Sequence, residues 1–191
     1  SQEETIFIFN STMLSLEKKQ IYMLPPSGGF IQATEFAQNL MINKILNYIK
    51  PKNDSLKILD LFSGSGTFSI PLLYNNYFVF SVDVNKNSID SLIKASKEQN
   101  IFNKLDTEVK NLRKFKFEKE FLKKFDVVIL DPPRAGAKNQ FQQIVEASIP
   151  NVISISCNVK TFLSDTQILL KSQYMLKEVT PIDQFLYTGH L

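Results

Sequence analysis

The chain has 191 residues, 43% hydrophobic and 21% charged, with 22 Lys plus Arg against 19 Asp plus Glu. That supplies the core of one globular domain, with at most a fragment of a second, and 6 Gly and 8 Pro exclude collagen-like and low-complexity classes. The formal net charge of +3 is too small for the total alone to signal a nucleic-acid partner.

No run approaches the roughly 18 to 20 apolar residues of a membrane span. The opening SQEETIFIFN lacks the basic start and apolar stretch of a signal peptide. The expectation is a cytoplasmic protein with no membrane contact and no obligate protein partner. A single cysteine, Cys157, and a single histidine, His190, leave no ligand set for a structural zinc, so no metal is expected. Between Lys104 and Lys124, eight basic residues stand against four acidic ones, Asp106, Glu108, Glu118 and Glu120. That stretch is either a solvated lysine-rich face or a phosphate contact.

Residues 2 to 24 read as two short strands, TIFIF and IYML, ending at Pro25-Pro26. Two strands alone cannot bury a core, so residues 1–24 read as the tail of an upstream β-rich region and 25–191 as the main domain. From Ala33 to Lys50 the apolar residues recur at helical spacing, and Pro51 stops the pattern. Strand-like runs then alternate with helical stretches. The runs are 56–62, 77–83, 105–111, 125–130 and 151–156; the helices begin near Thr67 and cover 85–99, 138–148 and 160–172. A further strand is expected around 178–184. The alternation predicts an α/β fold, a mostly parallel sheet with helices on both faces. Ligands of such sheets bind beyond the carboxyl ends of the strands, where the strand order reverses.

The residues at those ends carry the chemistry. The first strand of this series runs into Asp60-Leu61-Phe62-Ser63-Gly64-Ser65-Gly66-Thr67, a glycine turn that lets a ligand approach the backbone beside a helix start. Ser69 occupies the place where a dinucleotide fingerprint has its third glycine, which weakens a nicotinamide-cofactor reading. Asp83 ends the second strand, where a carboxylate can accept both hydroxyls of an adenosine ribose; the lesser alternative is a helix N-cap. Asn111, after the third, sits where an adenine would lie or simply makes a turn. In Asp131-Pro132-Pro133-Arg134 the prolines stiffen the loop that presents Asp131. Arg134 stands where amino-group methyltransferases tend to carry an aromatic residue. Cys157 follows the fifth strand at the mouth of the same cleft, beside a helix start.

Together these segments resemble the RNA 5-methyluridine methyltransferase family. The resemblance runs from Leu24 to Leu191 through PPSGGFIQAT, DLFSGSGTFSIPL, VDVN, DVVILDPPRAGA, SISCNVKTFLSD and TPIDQFLYTGHL. It implies a Rossmann-like class I methyltransferase that uses S-adenosyl-L-methionine on an RNA substrate, ribosomal RNA ahead of transfer RNA. It makes Cys157 the nucleophile and Gln32, Phe62, Gly64, Thr67, Asp83, Asn111 and Asp131 cofactor-site or target-site positions, with Asp131 also placed in the catalytic set. Thr34, Thr67 and Val159 depart from residues common in the family, and none of these departures removes a reacting group. In the family the final His-Leu or His-Val is followed by a glutamate, the general base, and one more strand. On that resemblance residues 1–191 are expected to be an enzyme fragment that lacks the base and the last strand.

The implied chemistry explains the residue types. Carbon 5 of uracil is a poor nucleophile until a thiolate adds at carbon 6 and turns the ring into an enolate. A base must later take the carbon 5 proton. Three other readings remain. A 5-methylcytosine enzyme resembles proteins with two cysteines, a silent cofactor-binding or RNA-binding module would not need Cys157, and an NAD reductase is disfavoured by Ser69.

Overall fold

The computed structural model describes residues 7–9, 21–26, 34–49 and 56–182. Its framework is five short strands, β3 (Lys57–Leu61), β4 (Phe78–Asp83), β5 (Leu105–Val109), β6 (Val127–Leu130) and β7 (Asn151–Ser154), all parallel, in the order β5-β4-β3-β6-β7. The inner ones, β3, β4 and β6, are largely buried and the outer ones, β5 and β7, partly exposed. The chain moves outward from β3 through β4 to β5, then returns to β6 on the other side of β3. The reversal between β3 and β6 opens the sheet's ligand crevice at their carboxyl ends.

Period-two alternation sends the strand side chains to two separate cores. Ile58, Val79, Val127 and Ile129 pack on one face against α1 (Glu35–Ile49), α2 (Ser69–Tyr74) and α3 (Lys86–Glu98). Leu59, Leu61, Val82, Val128 and Leu130 pack on the other against α4 (Lys119–Leu122), α5 (Lys138–Ala147) and α6 (Val159–Leu170). The second face also holds Phe80, Phe117, Phe121 and Phe125 in edge and stacked contacts with centroids 5.1 to 5.9 Å apart. Such pairs add about 0.5–1.5 kcal/mol each beyond area burial. The expected doubly covered parallel sheet is therefore present.

Near the start of the chain, β1 (Phe7–Phe9) and β2 (Ile21–Met23) pair antiparallel. Ile21, Met23 and Leu24 are buried in the first core, together with α1, α2 and α3. Gln99, the C-cap of α3, accepts the Tyr22 N–H through Oε1 at 3.1 Å and donates Nε2 to the Tyr22 carbonyl at 2.8 Å. The strand expected to end an upstream tail is thus sewn to the domain that follows.

Three elements differ from expectation, the first a 3-10 turn over Phe102–Lys104 ahead of β5. The single turn α4 was not anticipated. Residues 178–182 make no strand where one is expected over 178–184, and 183–184 lie outside the described residues. Pro181 cannot donate to a ladder and Val179 is exposed, while Glu178 pairs with Lys44 of α1 and accepts from the Thr180 hydroxyl at 2.8 Å. Among the described residues no helix is long and apolar enough to cross a membrane.

Candidate active site

The parallel register lines up the predicted residues along one edge of the sheet. Leu61 lies beside Val82 on one side and Leu130 on the other, and Leu130 lies beside Ser154. Phe62 and the glycine loop, Asp83, Asp131 and the Cys157 loop therefore leave adjacent strands, each about 4.8 Å from the next, at the same end. Backbone bonds continue past the strands: Phe62 and Ser63 N–H donate to the Val82 carbonyl at 2.9 and 3.2 Å, and Ile155 N–H donates to the Leu130 carbonyl at 2.8 Å. Lys110 N–H donates to the Asp83 carbonyl at 2.9 Å, which brings the Asn111 turn to the same edge. Gln32 lies outside the described residues, as do His190 and Asp183.

The turn after β3 is built from left-handed backbone. Phe62 has φ 63°, Gly64 φ 54° and Gly66 φ 94°. The two glycines serve different ends. A Cβ on Gly66 would sit 2.5 Å from Leu92 Cδ1 and 3.1 Å from Ile70 Cγ1, so this glycine lets the loop close onto α2 and α3. A Cβ on Gly64 would meet nothing within 4 Å. That position faces open space, where backbone can meet a ligand.

Asp83 holds this loop. Its Oδ2 accepts the Gly64 N–H at 2.9 Å and its Oδ1 the Asn85 N–H at 2.8 Å. The N-cap of α3 is Asn85, whose Oδ1 accepts from Asn87 and Ser88 N–H, so the carboxylate is released from the capping role that the sequence left open. A carboxylate has about four acceptor directions, and two remain for ligand hydroxyls. Asn111 is exposed, and its Oδ1 accepts the Arg113 N–H at 3.1 Å, so it does make the turn that its isolated position allowed. Thr67 is half-buried in the glycine loop.

Sequence reasoning missed Asp60. It points from β3 toward α2, wholly buried, and accepts a hydrogen bond from the Ser69 hydroxyl, which lies 2.7 Å from the Ser81 hydroxyl. Ser69 stands in the place of a third glycine, and its structural role is this hydroxyl. Burial pushes the Asp60 carboxyl up to about 7 against the opposing pull of the Ser69 bond, and the charges of Asp131 and Asp83 push the same way. Asp60 Oδ1, Ser63 Oγ and Ser65 Oγ are buried without a hydrogen-bond partner among the described residues. Three orphaned oxygens beneath one glycine loop fit a polar ligand with donors of its own.

On the other side of the crevice, Asn158 and Thr161 tie the cysteine loop to the Asp131 loop. Asn158 Nδ2 and Thr161 Oγ1 donate to the Arg134 carbonyl at 3.0 and 3.3 Å. Asp165 of α6, itself buried, accepts the Ala137 N–H through Oδ2 at 2.7 Å. Gly136, at φ 77°, makes room for that carboxylate, since a Cβ there would lie 2.5 Å from Asp165 Oδ2. Cys157 itself is a free, exposed thiol at the head of α6, whose N-cap is Asn158.

Residues 7–191 match the model of the tRNA (uracil-5-)-methyltransferase family. The chain belongs to that family. Among uracil-5-methyltransferase relatives, it is 36% identical over 171 residues to a 23S rRNA (uracil(747)-C(5))-methyltransferase of Pyrococcus furiosus, covering 89% of this chain and 39% of that protein. It is 34% identical over 167 residues to an uncharacterized RNA methyltransferase of Agrobacterium fabrum, covering 87% of this chain and 39% of the other. Among solved structures, the Pyrococcus abyssi tRNA (uracil-54, C5)-methyltransferase in complex with S-adenosyl-L-homocysteine superposes with TM-score 0.75 at 26% identity, over 89% of this chain and 40% of that one. The chain thus spans about two-fifths of the length of these family members. Its fold is the Rossmann-like class I methyltransferase fold, shared with a magnesium protoporphyrin IX methyltransferase of Synechocystis at TM-score 0.58 and 16% identity.

Proposed function

We propose that this domain methylates carbon 5 of a uridine in RNA, with S-adenosyl-L-methionine as the methyl donor and Cys157 as the covalent nucleophile. The observation that carries the reading is the shared edge: the glycine loop, Asp83, Asp131 and the only cysteine of the chain leave four adjacent strands at one end of the sheet. The open space over Gly64 and the three unpaired oxygens of Asp60, Ser63 and Ser65 fit a polar, amine-bearing cofactor. When bound there, S-adenosyl-L-methionine supplies an electrophilic methyl group. Asp83 accepts its ribose hydroxyls through the directions left free by Gly64 and Asn85 N–H.

The protein's own groups perform the rest. The Cys157 thiolate forms a bond to carbon 6 of the uracil, and the ring's π electrons move onto carbon 5 and the carbonyl at position 4. Asp131, on its stiff diproline loop, hydrogen-bonds the polar edge of the ring and orients it. Once carbon 5 carries the methyl group, its proton leaves to a base, the electron pair re-forms the 5,6 double bond, and the sulfur departs as thiolate. The resemblance assigns that base to a glutamate. The target uridine has to be out of its stack, since a duplex hides both carbons. Ribosomal RNA ranks ahead of transfer RNA, in line with sequence relatives of Pyrococcus furiosus and Enterobacter that are 23S rRNA enzymes.

The test follows the methyl group. RNA incubated with the protein and methyl-labelled S-adenosyl-L-methionine is digested to nucleosides. The proposal expects label only on uridine carbon 5, free or still attached to Cys157. Label on a base nitrogen or on cytidine would overturn it.

A further inference from the structure

Six cations gather on the three segments that leave β5, β6 and β7, four on loops and two, Lys138 and Lys160, in the first turns of α5 and α6. Residues 111–117, 132–140 and 155–164 contain Arg113, Lys114, Lys116, Arg134, Lys138 and Lys160 and no Asp or Glu, although the chain as a whole is nearly balanced. Both arginines of the protein are among them. The lysine-rich stretch noted in the sequence therefore divides. Its later part, Lys119 to Lys124, belongs to α4 and the turn after it, where Lys123 pairs with Glu120 at 2.7 Å and Lys124 lies over the Phe121 ring. Its earlier part, at Arg113 and Lys114, joins cations from elsewhere in the chain.

Hydrogen bonds fasten the three segments into one rim. Asn139 Nδ2 donates to the Arg113 carbonyl at 3.3 Å, and Gln140 donates to the Leu112 carbonyl, which docks the 111–117 loop on the start of α5 beside Lys138. Asn158 Nδ2, next but one to Lys160, donates to the Arg134 carbonyl at 3.0 Å. All six cations are exposed. Lys116 has a carboxylate partner, Glu146 at 3.3 Å; the other five form no ion pair among the described residues. Exposed cations without an ion-pair partner on tied segments keep their charge for an external anion. Their spread over three segments suits a chain of phosphates rather than a single one.

We infer that Arg113, Lys114, Arg134, Lys138 and Lys160 form a rim that holds the backbone phosphates of single-stranded or looped RNA flanking the target nucleotide, on the α5–α6 side of the Cys157 crevice. The inference rests on the RNA reading above and adds the surface that grips the substrate. None of these cations belongs to the glycine loop or neighbours Asp83 in sequence, so the rim acts on RNA affinity and leaves cofactor binding alone.

The test is fluorescence anisotropy of a labelled, uridine-containing single-stranded RNA titrated with the full 191-residue chain at several salt concentrations. The combined variant Arg113→Ala, Lys138→Ala, Lys160→Ala should bind about tenfold or more weakly at low salt. Its log Kd against log salt slope should fall by about 2, at about 0.7 per lost phosphate contact for single strands. Calorimetric affinity for S-adenosylhomocysteine should stay within about twofold, which also reports that the variant is folded; the single reversal Lys138→Glu serves as the milder second variant. Lys123→Ala with Lys124→Ala should leave the slope unchanged. An unchanged slope in the triple variant, an equal drop in the Lys123/Lys124 variant, or no RNA binding by the parent chain would each overturn the rim. Intact rim behaviour with label reaching a base other than uridine would sink the uridine reading and leave the rim standing.

Discussion

Asp60 is the residue whose environment departs furthest from water. With its carboxyl raised by burial to about 7, the folded protein keeps a proton that the unfolded chain releases near the ordinary aspartate range, so this residue favours folding most at acid pH. As pH rises from about 4 to about 7, that contribution is lost at about 1.4 kcal/mol per pH unit, then levels off. Asp60→Asn keeps an acceptor for the Ser69 hydroxyl and removes the titration. Its melting temperature relative to the parent should therefore climb between pH 4 and 7 and stay level above, and parallel curves across that range would contradict the burial argument. Gly64 and Gly66 make a second residue-scale contrast. Gly66→Ala drives a methyl into Leu92 and should cost about 2–4 kcal/mol in denaturant unfolding. Gly64→Ala carries only the left-handed penalty of about 1–2 kcal/mol, yet should weaken S-adenosylhomocysteine at least about tenfold by calorimetry, because its methyl enters the ligand's space. Equal effects on stability and binding from both would remove the distinction.

At the scale of elements, α6 does two jobs: Cys157 sits at its head, while Asn158, Thr161 and Asp165 grip the loop that carries Asp131. Asp165→Ala strands the buried Ala137 N–H, a loss of about 1–3 kcal/mol. It should lower the yield of RNA adduct while leaving S-adenosylhomocysteine affinity intact, and a loss of cofactor affinity instead would place Asp165 on the wrong side of the crevice. This clamp was legible only in part. Strand ends were readable where apolar runs terminate in Asp, Gly or Pro, which gives Asp83 and Asp131; Cys157 follows instead from its place after the fifth strand, just ahead of a helix start. Asp165 and Asp60 were not, since nothing in a linear pattern says which carboxylate a neighbouring loop will bury. The turn α4 was missed because four residues are too few to show helical spacing. The strand expected over 178–184 does not form across its described residues, where Pro181 has no N–H to donate and Glu178 pairs with Lys44.

For the whole molecule, the reversal of strand order between β3 and β6 does the organising. It places the loops after β3 and β4, proposed to hold the cofactor, on one flank and the loops after β6 and β7, which carry Asp131 and Cys157, on the other. The two cores keep those flanks rigid, and Gln99 extends the first core to β2. The cation rim follows from the same topology, because each of its segments leaves a strand at that edge. Mass spectrometry of the protein after incubation with S-adenosyl-L-methionine and an RNA bearing 5-fluorouridine tests the central claim most directly, since fluorine at carbon 5 blocks the release step and no base is required. The parent chain should gain the mass of the RNA plus one methyl at Cys157, and Cys157→Ala should bind S-adenosylhomocysteine yet gain nothing. Equal adduct in both proteins, or none in a parent chain that binds both cofactor and RNA, would contradict the account.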